Sequence, residues 1–172
     1  MAAATEITVI VCLVASIFLV AAEFHKWPIR RAIFKIIASS AFVMIALQLG
    51  ATTTTYGRLI LAALVLSWIG DVLLLSRQSR IFLLGIASFL LSHIAFSIAF
   101  ATRPLSLAGL IVGVVAMVCI GTIVLRWLWR HLQNFYRVAV TAYVVAIFAM
   151  CTFAVALSAA SGNWVLATGA LA

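Results

Sequence analysis

Acidic side chains are almost absent from this sequence. Glu6, Glu23 and Asp71 face eleven lysines and arginines, giving a formal net charge of +8. Charged residues of both signs make up only 8% of the chain, while 67% is hydrophobic, and the mean hydropathy is +1.33. A water-soluble domain needs a polar shell, and this composition cannot cover one. Histidine and cysteine are scarce as well, three of each. His25 and His131 fall in connectors and His93 inside an apolar run, so no spacing suggests a metal site, and a zinc hydrolase with three or more ligands is not supported. Cys12, Cys119 and Cys151 lie in apolar runs, where cysteine acts as a small buried hydrophobe. The chain has no linker, no low-complexity stretch and no second domain. It has no convincing signal peptide either: no Lys or Arg precedes the first apolar run, and positive charge follows it, as expected of a retained first span.

What the sequence has is a succession of long apolar runs. They cover roughly residues 5–22, 32–50, 57–75, 81–101, 107–125 and 138–157, each long enough to cross a bilayer core. A seventh begins near Trp164. The alternating strands of about 10 residues that mark a membrane β-barrel are missing. The expected fold is therefore an all-α polytopic membrane helix bundle, a single transmembrane domain over residues 1–172. It has six complete spans and the start of a seventh. The protein is integral to a membrane, the cytoplasmic membrane if the source is bacterial.

In a soluble protein the basic excess would point to nucleic acid. Here it sits mostly in short connectors, so it reads as topology and as attraction to anionic lipid headgroups, with no nucleic acid implied. Lys26, Arg30, Arg31, Arg77, Arg80, Arg126, Arg130 and Arg137 occupy alternate connectors; the others hold Arg58 and Arg103. This asymmetry predicts a cytosolic face at the basic connectors and the N-terminus outside. Trp27, Trp127 and Trp129 then mark the cytosolic interface, and Tyr56 and Trp164 the outer one. Gly109 and Gly113 form a GxxxG, and Gly85, Ser88 and Ser92 are small residues in the fourth span, as helix contacts require.

Asp71 stands near the end of an otherwise apolar run, SWIGDVLLL. Counting from the expected span ends puts it roughly 6 Å below the cytosolic surface, with Lys35 about 5 Å below the same surface. Ser39 lies one turn deeper on the face of Lys35, and Ser67 one turn deeper on the face of Asp71, with Gly70 beside the acid. Tyr143 comes about 8 Å deep on the sixth span and His93 roughly 18 Å deep on the fourth. A charge in hydrocarbon costs at least ~2.5–3.5 kcal/mol, so such groups face a bundle interior and take partners. Lys35 and Asp71 match in depth and oppose in sign, which fits an ion pair as well as an active site. Glu23 reads as interfacial and solvated.

At these residues the chain resembles the YhhN or lysoplasmalogenase family. The likeness begins at FKIIASSAF, which holds Lys35, and is strongest in YGRLILAALVLSWIGDVLLL, where Ser precedes Gly-Asp. It continues through Phe82, Gly85, Phe89 and His93 in FLLGIASFLLSHIAFSIAF, and through Tyr143. Gly169-Ala170 matches the start of a motif that goes on to Phe and Ser-Asp. The chain departs from the pattern at Ile36, where the family often has Pro, and at Phe96, where it often has Tyr. The family's second aspartate would lie just beyond Ala172, and its eight-span architecture implies that this chain is C-terminally incomplete.

The resemblance implies hydrolysis of the vinyl ether of lysoplasmalogen-type lysophospholipids to a fatty aldehyde and a glycerophospho-amine. Such a bond is cleaved by protonating its β-carbon, which leaves an oxocarbenium-like cation for water to capture. One acid must hold a proton near neutral pH, which burial in an apolar site favours; a second, ionised carboxylate can stabilise the cation or activate water. Asp71 is the catalytic candidate for one of these roles, and a neighbouring Lys35 favours the ionised one. Lys35, Ser39, Ser67, His93 and Tyr143 are candidates to support or bind the substrate. No metal or organic cofactor is needed. A carrier or proton relay is a rival reading of intramembrane Asp, Lys and His, although no inverted repeat or broken helix accompanies them. A non-catalytic structural subunit is another.

Overall fold

Backbone amides have no water to bond to in hydrocarbon, so a spanning segment must satisfy them internally, and a helix does so within one segment. The computed structural model, which describes residues 2–76, 78–129 and 134–171, follows this rule throughout. Its elements are α1 (Ala2–Phe24), α2 (Pro28–Gln48), α3 (Thr55–Leu73), α4 (Ser79–Ala101), α5 (Leu107–Trp129), α6 (Asn134–Ser161) and α7 (Val165–Leu171). No strand occurs among the described residues. The six helices α1 to α6 are each long and apolar enough to cross a membrane. Arg77, Arg130 and His131, which enter the sequence reading above, lie outside the described residues.

The helix ends follow local chemistry. Lys26 takes left-handed backbone (φ 54) after α1, and Trp27 N donates to Ala22 O at 2.9 Å, closing a tight turn into α2. Pro28 then occupies the first turn of α2, where its missing N–H costs nothing. Gly50 (φ 75) ends α2 in the same left-handed way, here with the residue best suited to it. Thr54 caps α3 by accepting from Gly57 N at 3.0 Å.

The chain divides into two compact units, Met1–Ser92 and His93–Ala172. The first holds α1, α2, α3 and α4 as far as Ser92. Its buried positions are small: Ala15, Ala22, Ala38, Ala41, Ala46 and Ala63, with Ser39, Ser88 and Ser92. Large residues such as Ile10, Leu13, Ile17 and Phe42 face outward. Lipid tails are as apolar as leucine, so burying a large side chain gains little; close backbone approach and interhelical hydrogen bonds hold the helices instead. Ser88 Oγ donates to Leu66 O at 2.6 Å and Ser92 Oγ to Ala63 O at 2.8 Å, joining α4 to α3.

The second unit holds the end of α4 with α5, α6 and α7. Gly109 and Gly113 bring α5 against α6: an added β-carbon would stand 2.8 Å from Ala156 Cα at the first and 3.1 Å from Thr152 Cα at the second. The GxxxG is thus a helix contact. Fully buried Ser158 on α6 accepts from Ala167 N at 3.0 Å, which docks α7.

Candidate functional site

Lys35 stands in the second turn of α2, and Asp71 is two residues before the end of α3. Their side chains meet, with Lys35 Nζ 3.1 Å from Asp71 Oδ1. The lysine side chain is 27% exposed and the carboxylate 19%, so both are largely withdrawn but neither is sealed off. An ammonium and a carboxylate at this separation offset much of each other's cost in a low-dielectric setting.

The surroundings fix α3 on both sides of this pair. Trp68 Nε1 donates to Ser40 Oγ at 2.9 Å, tying α3 to α2 one turn from Asp71. The ring of Phe89 on α4 lies over Gly70, where a β-carbon would come within 2.7 Å of it. Ser67 Oγ shares a 2.8 Å hydrogen bond with Ser92 Oγ. Ser39 Oγ donates to Lys35 O at 2.8 Å, a bond within its own helix. Ser39 and Ser67 thus lie one turn from the pair, with hydroxyls engaged elsewhere: one braces the backbone of Lys35, the other joins α3 to α4.

A groove of about 500 Å³ opens beside the pair. Leu19, Val20, Leu74, Leu75 and Phe82 form its apolar walls, and Glu23, Arg31 and Lys35 its charged side. Lys35 thereby reaches both the groove and Asp71. Arg31 lies one turn before Lys35 on α2, and its Nη1 is 3.3 Å from Glu23 Oε1. Glu23 is exposed, as the sequence reading had it, but also paired. Trp68–Ser40 and Glu23–Arg31 both escape that reading. The second was recoverable, because Glu23 and Arg31 flank a short turn that sets the end of α1 beside the start of α2.

His93 and Tyr143 belong to the second unit, and their rings meet edge-on with centroids 5.3 Å apart. Ser97 Oγ donates to His93 O at 2.8 Å. Phe96 stacks against Phe100, centroids 6.2 Å apart. The candidate residues therefore come together as two pairs, Lys35 with Asp71 and His93 with Tyr143, one within each unit. On α7, Ala170 O accepts from Cys151 Sγ at 3.2 Å, so the Gly169-Ala170 segment is helical and held to α6.

Among known proteins, the chain matches the family model described as the YhhN family over residues 30–172. The match opens at Arg30 on α2, so α1 and Glu23 precede it. No curated protein and no solved structure matches the chain.

Proposed function

Because the chain belongs to the YhhN family, we propose that it is a membrane-embedded hydrolase that cleaves the vinyl-ether bond of lysoplasmalogen-type lysophospholipids. The observation that carries this reading is the Lys35–Asp71 pair at 3.1 Å, beside a groove with apolar walls and a charged rim. A single-chain lipid fits such a shape, with its tail along Leu19, Val20, Leu74, Leu75 and Phe82 and its phosphate toward the cations.

The chemistry has two parts. A proton must reach the β-carbon of the vinyl ether, and the oxocarbenium-like cation so formed must be stabilised until water adds. The hemiacetal then collapses to the fatty aldehyde and the glycerophospho-amine. Asp71, held against an ammonium, serves as the ionised carboxylate that faces the cation or takes a proton from the attacking water. Lys35 positions that carboxylate. The β-carbon receives its proton from a separate acid.

The basic residues of the α1–α2 turn, with Arg80 in the first turn of α4, support a topology that has this end of the first unit in the cytosolic leaflet and the N-terminus outside. The decisive measurement is aldehyde release from a lysoplasmenyl lipid by the purified full-length protein. Turnover that vanishes in Asp71→Asn supports the reading. A wild-type protein that releases no aldehyde, or an Asp71→Asn variant with unchanged turnover, removes it.

A further inference from the structure

We propose that the Glu23–Arg31 pair at the mouth of the groove selects single-chain lipids whose headgroup carries both a phosphate and an ammonium. This deepens the functional reading above and rests on it, since it takes the groove as the lipid's route to the Lys35–Asp71 pair.

The argument begins with the order of charges. Arg31 and Lys35 stand one turn apart on α2 and both line the groove. Glu23, at the end of α1, is a carboxylate among cations: Lys26, Arg30 and Arg31 all belong to the same turn. A shallow pocket of about 250 Å³ is formed there by Glu23, Lys26, Trp27, Pro28 and Arg31. A rim built only to attract anionic lipid would gain nothing from an acid at its centre, because that acid repels the ligand. Glu23 is useful when the ligand itself brings a positive charge.

The existing ion pair is suited to exchange. Its side chains are 46% exposed at Arg31 and 62% at Glu23, and the two contacts are long, 3.3 Å each. Exposed pairs of this kind contribute little, so opening one costs little. A zwitterionic headgroup then replaces one pair by two: its phosphate takes the planar guanidinium fork of Arg31, and its ammonium takes Glu23. A headgroup with a phosphate and no ammonium leaves Glu23 unpaired next to added negative charge. A neutral monoacylglycerol offers partners to neither and leaves Glu23–Arg31 closed. Selection here comes as much from the rejected ligands as from the accepted one.

The inference is tested with ester-linked lysolipids, which have no vinyl ether to cleave, so binding is read apart from hydrolysis. Competition against a fluorescent lysolipid is measured on the full-length protein in detergent, with lysophosphatidylethanolamine set against lysophosphatidylglycerol. The wild type is expected to favour the ethanolamine lipid by about three- to fivefold, the range one exposed charge contact supplies. Glu23→Gln should bring the ratio close to one, and Glu23→Lys should invert it. Arg31→Gln should weaken both lipids. Equal binding by the wild type, or an unchanged ratio in both Glu23 variants, overturns the proposal. A protein that cleaves no vinyl ether yet keeps a Glu23-dependent ratio supports this selection while removing the hydrolase reading. A hydrolase indifferent to Glu23 does the reverse.

Discussion

Gly70 lies beneath the ring of Phe89, so close that a β-carbon would stand 2.7 Å from two ring atoms. The contact sets how nearly α3 and α4 approach, one residue before Asp71. Gly70→Ala must push the ring or the helix aside, at a cost of about 1–3 kcal/mol. The variant should unfold earlier in a thermal or denaturant titration. Phe89→Leu in the same background should restore part of the loss by making room. If Gly70→Ala is as stable as the wild type, the close approach is not a constraint.

The ion pair separates stability from chemistry. Lys35→Met leaves Asp71 without its cation in a largely withdrawn position, for a loss of about 1–3 kcal/mol, less than a fully buried pair would show. The double change Lys35→Met with Asp71→Leu removes both charges and should recover most of that stability. Neither protein should release aldehyde. A double variant as unstable as the single one would mean that the cost lies in packing and not in the unpaired charge.

Asp71→Asn keeps the shape and removes the charge. Under the proposed chemistry its turnover should fall by about 10²- to 10⁴-fold, the usual worth of a positioned acid or base. Its melting temperature should move less than that of Lys35→Met, because the Lys35 ammonium left behind sits on a long stem that can swing toward the headgroups, whereas a stranded Asp71 carboxylate cannot. Vinyl-ether hydrolysis and unfolding, measured on the same preparation, check both halves.

Ser92 makes two bonds at once, donating to Ala63 O at 2.8 Å and meeting Ser67 Oγ at 2.8 Å while fully buried. Ser92→Ala should cost about 1–3 kcal/mol, since it leaves a carbonyl and a hydroxyl short of a partner. Ser39→Ala should cost less, because its hydroxyl bonds within its own helix. Parallel denaturation of the two variants tests the order.

The proposed orientation rests on the distribution of charge. In a background without the native cysteines, Ser79→Cys should react with a membrane-impermeant maleimide applied to the cytosolic side. Thr53→Cys should react from the opposite side. Labelling in the reverse pattern would turn the proposed topology over.

The fold was largely legible because the bilayer narrows the choices: an apolar run of about 20 residues between connectors can hardly be anything but a helix. The helices run past the expected spans. α5 was expected to end near residue 125 and continues to Trp129; α6 was expected from 138 and starts at Asn134. Hydrocarbon thickness limits the apolar stretch, not the hydrogen-bonded helix. The Lys35–Asp71 contact was legible too, through matched depth and opposite sign. His93 and Tyr143 were expected about 10 Å apart in depth, yet their rings touch. Trp68–Ser40 left no trace in the sequence: depth can be counted along one chain, whereas the rotation of one helix against another cannot.

The alanine-lined interior carries a consequence for how this protein tolerates change. Ala63, Ala99, Ala154 and Ala156 show no exposed surface at all, while leucines, isoleucines and valines crowd the outside. In a saturation library the familiar ranking of sensitive sites would run backwards. Swaps among bulky aliphatic residues on the rim would pass unnoticed, and one extra methylene at an inward alanine would be purged.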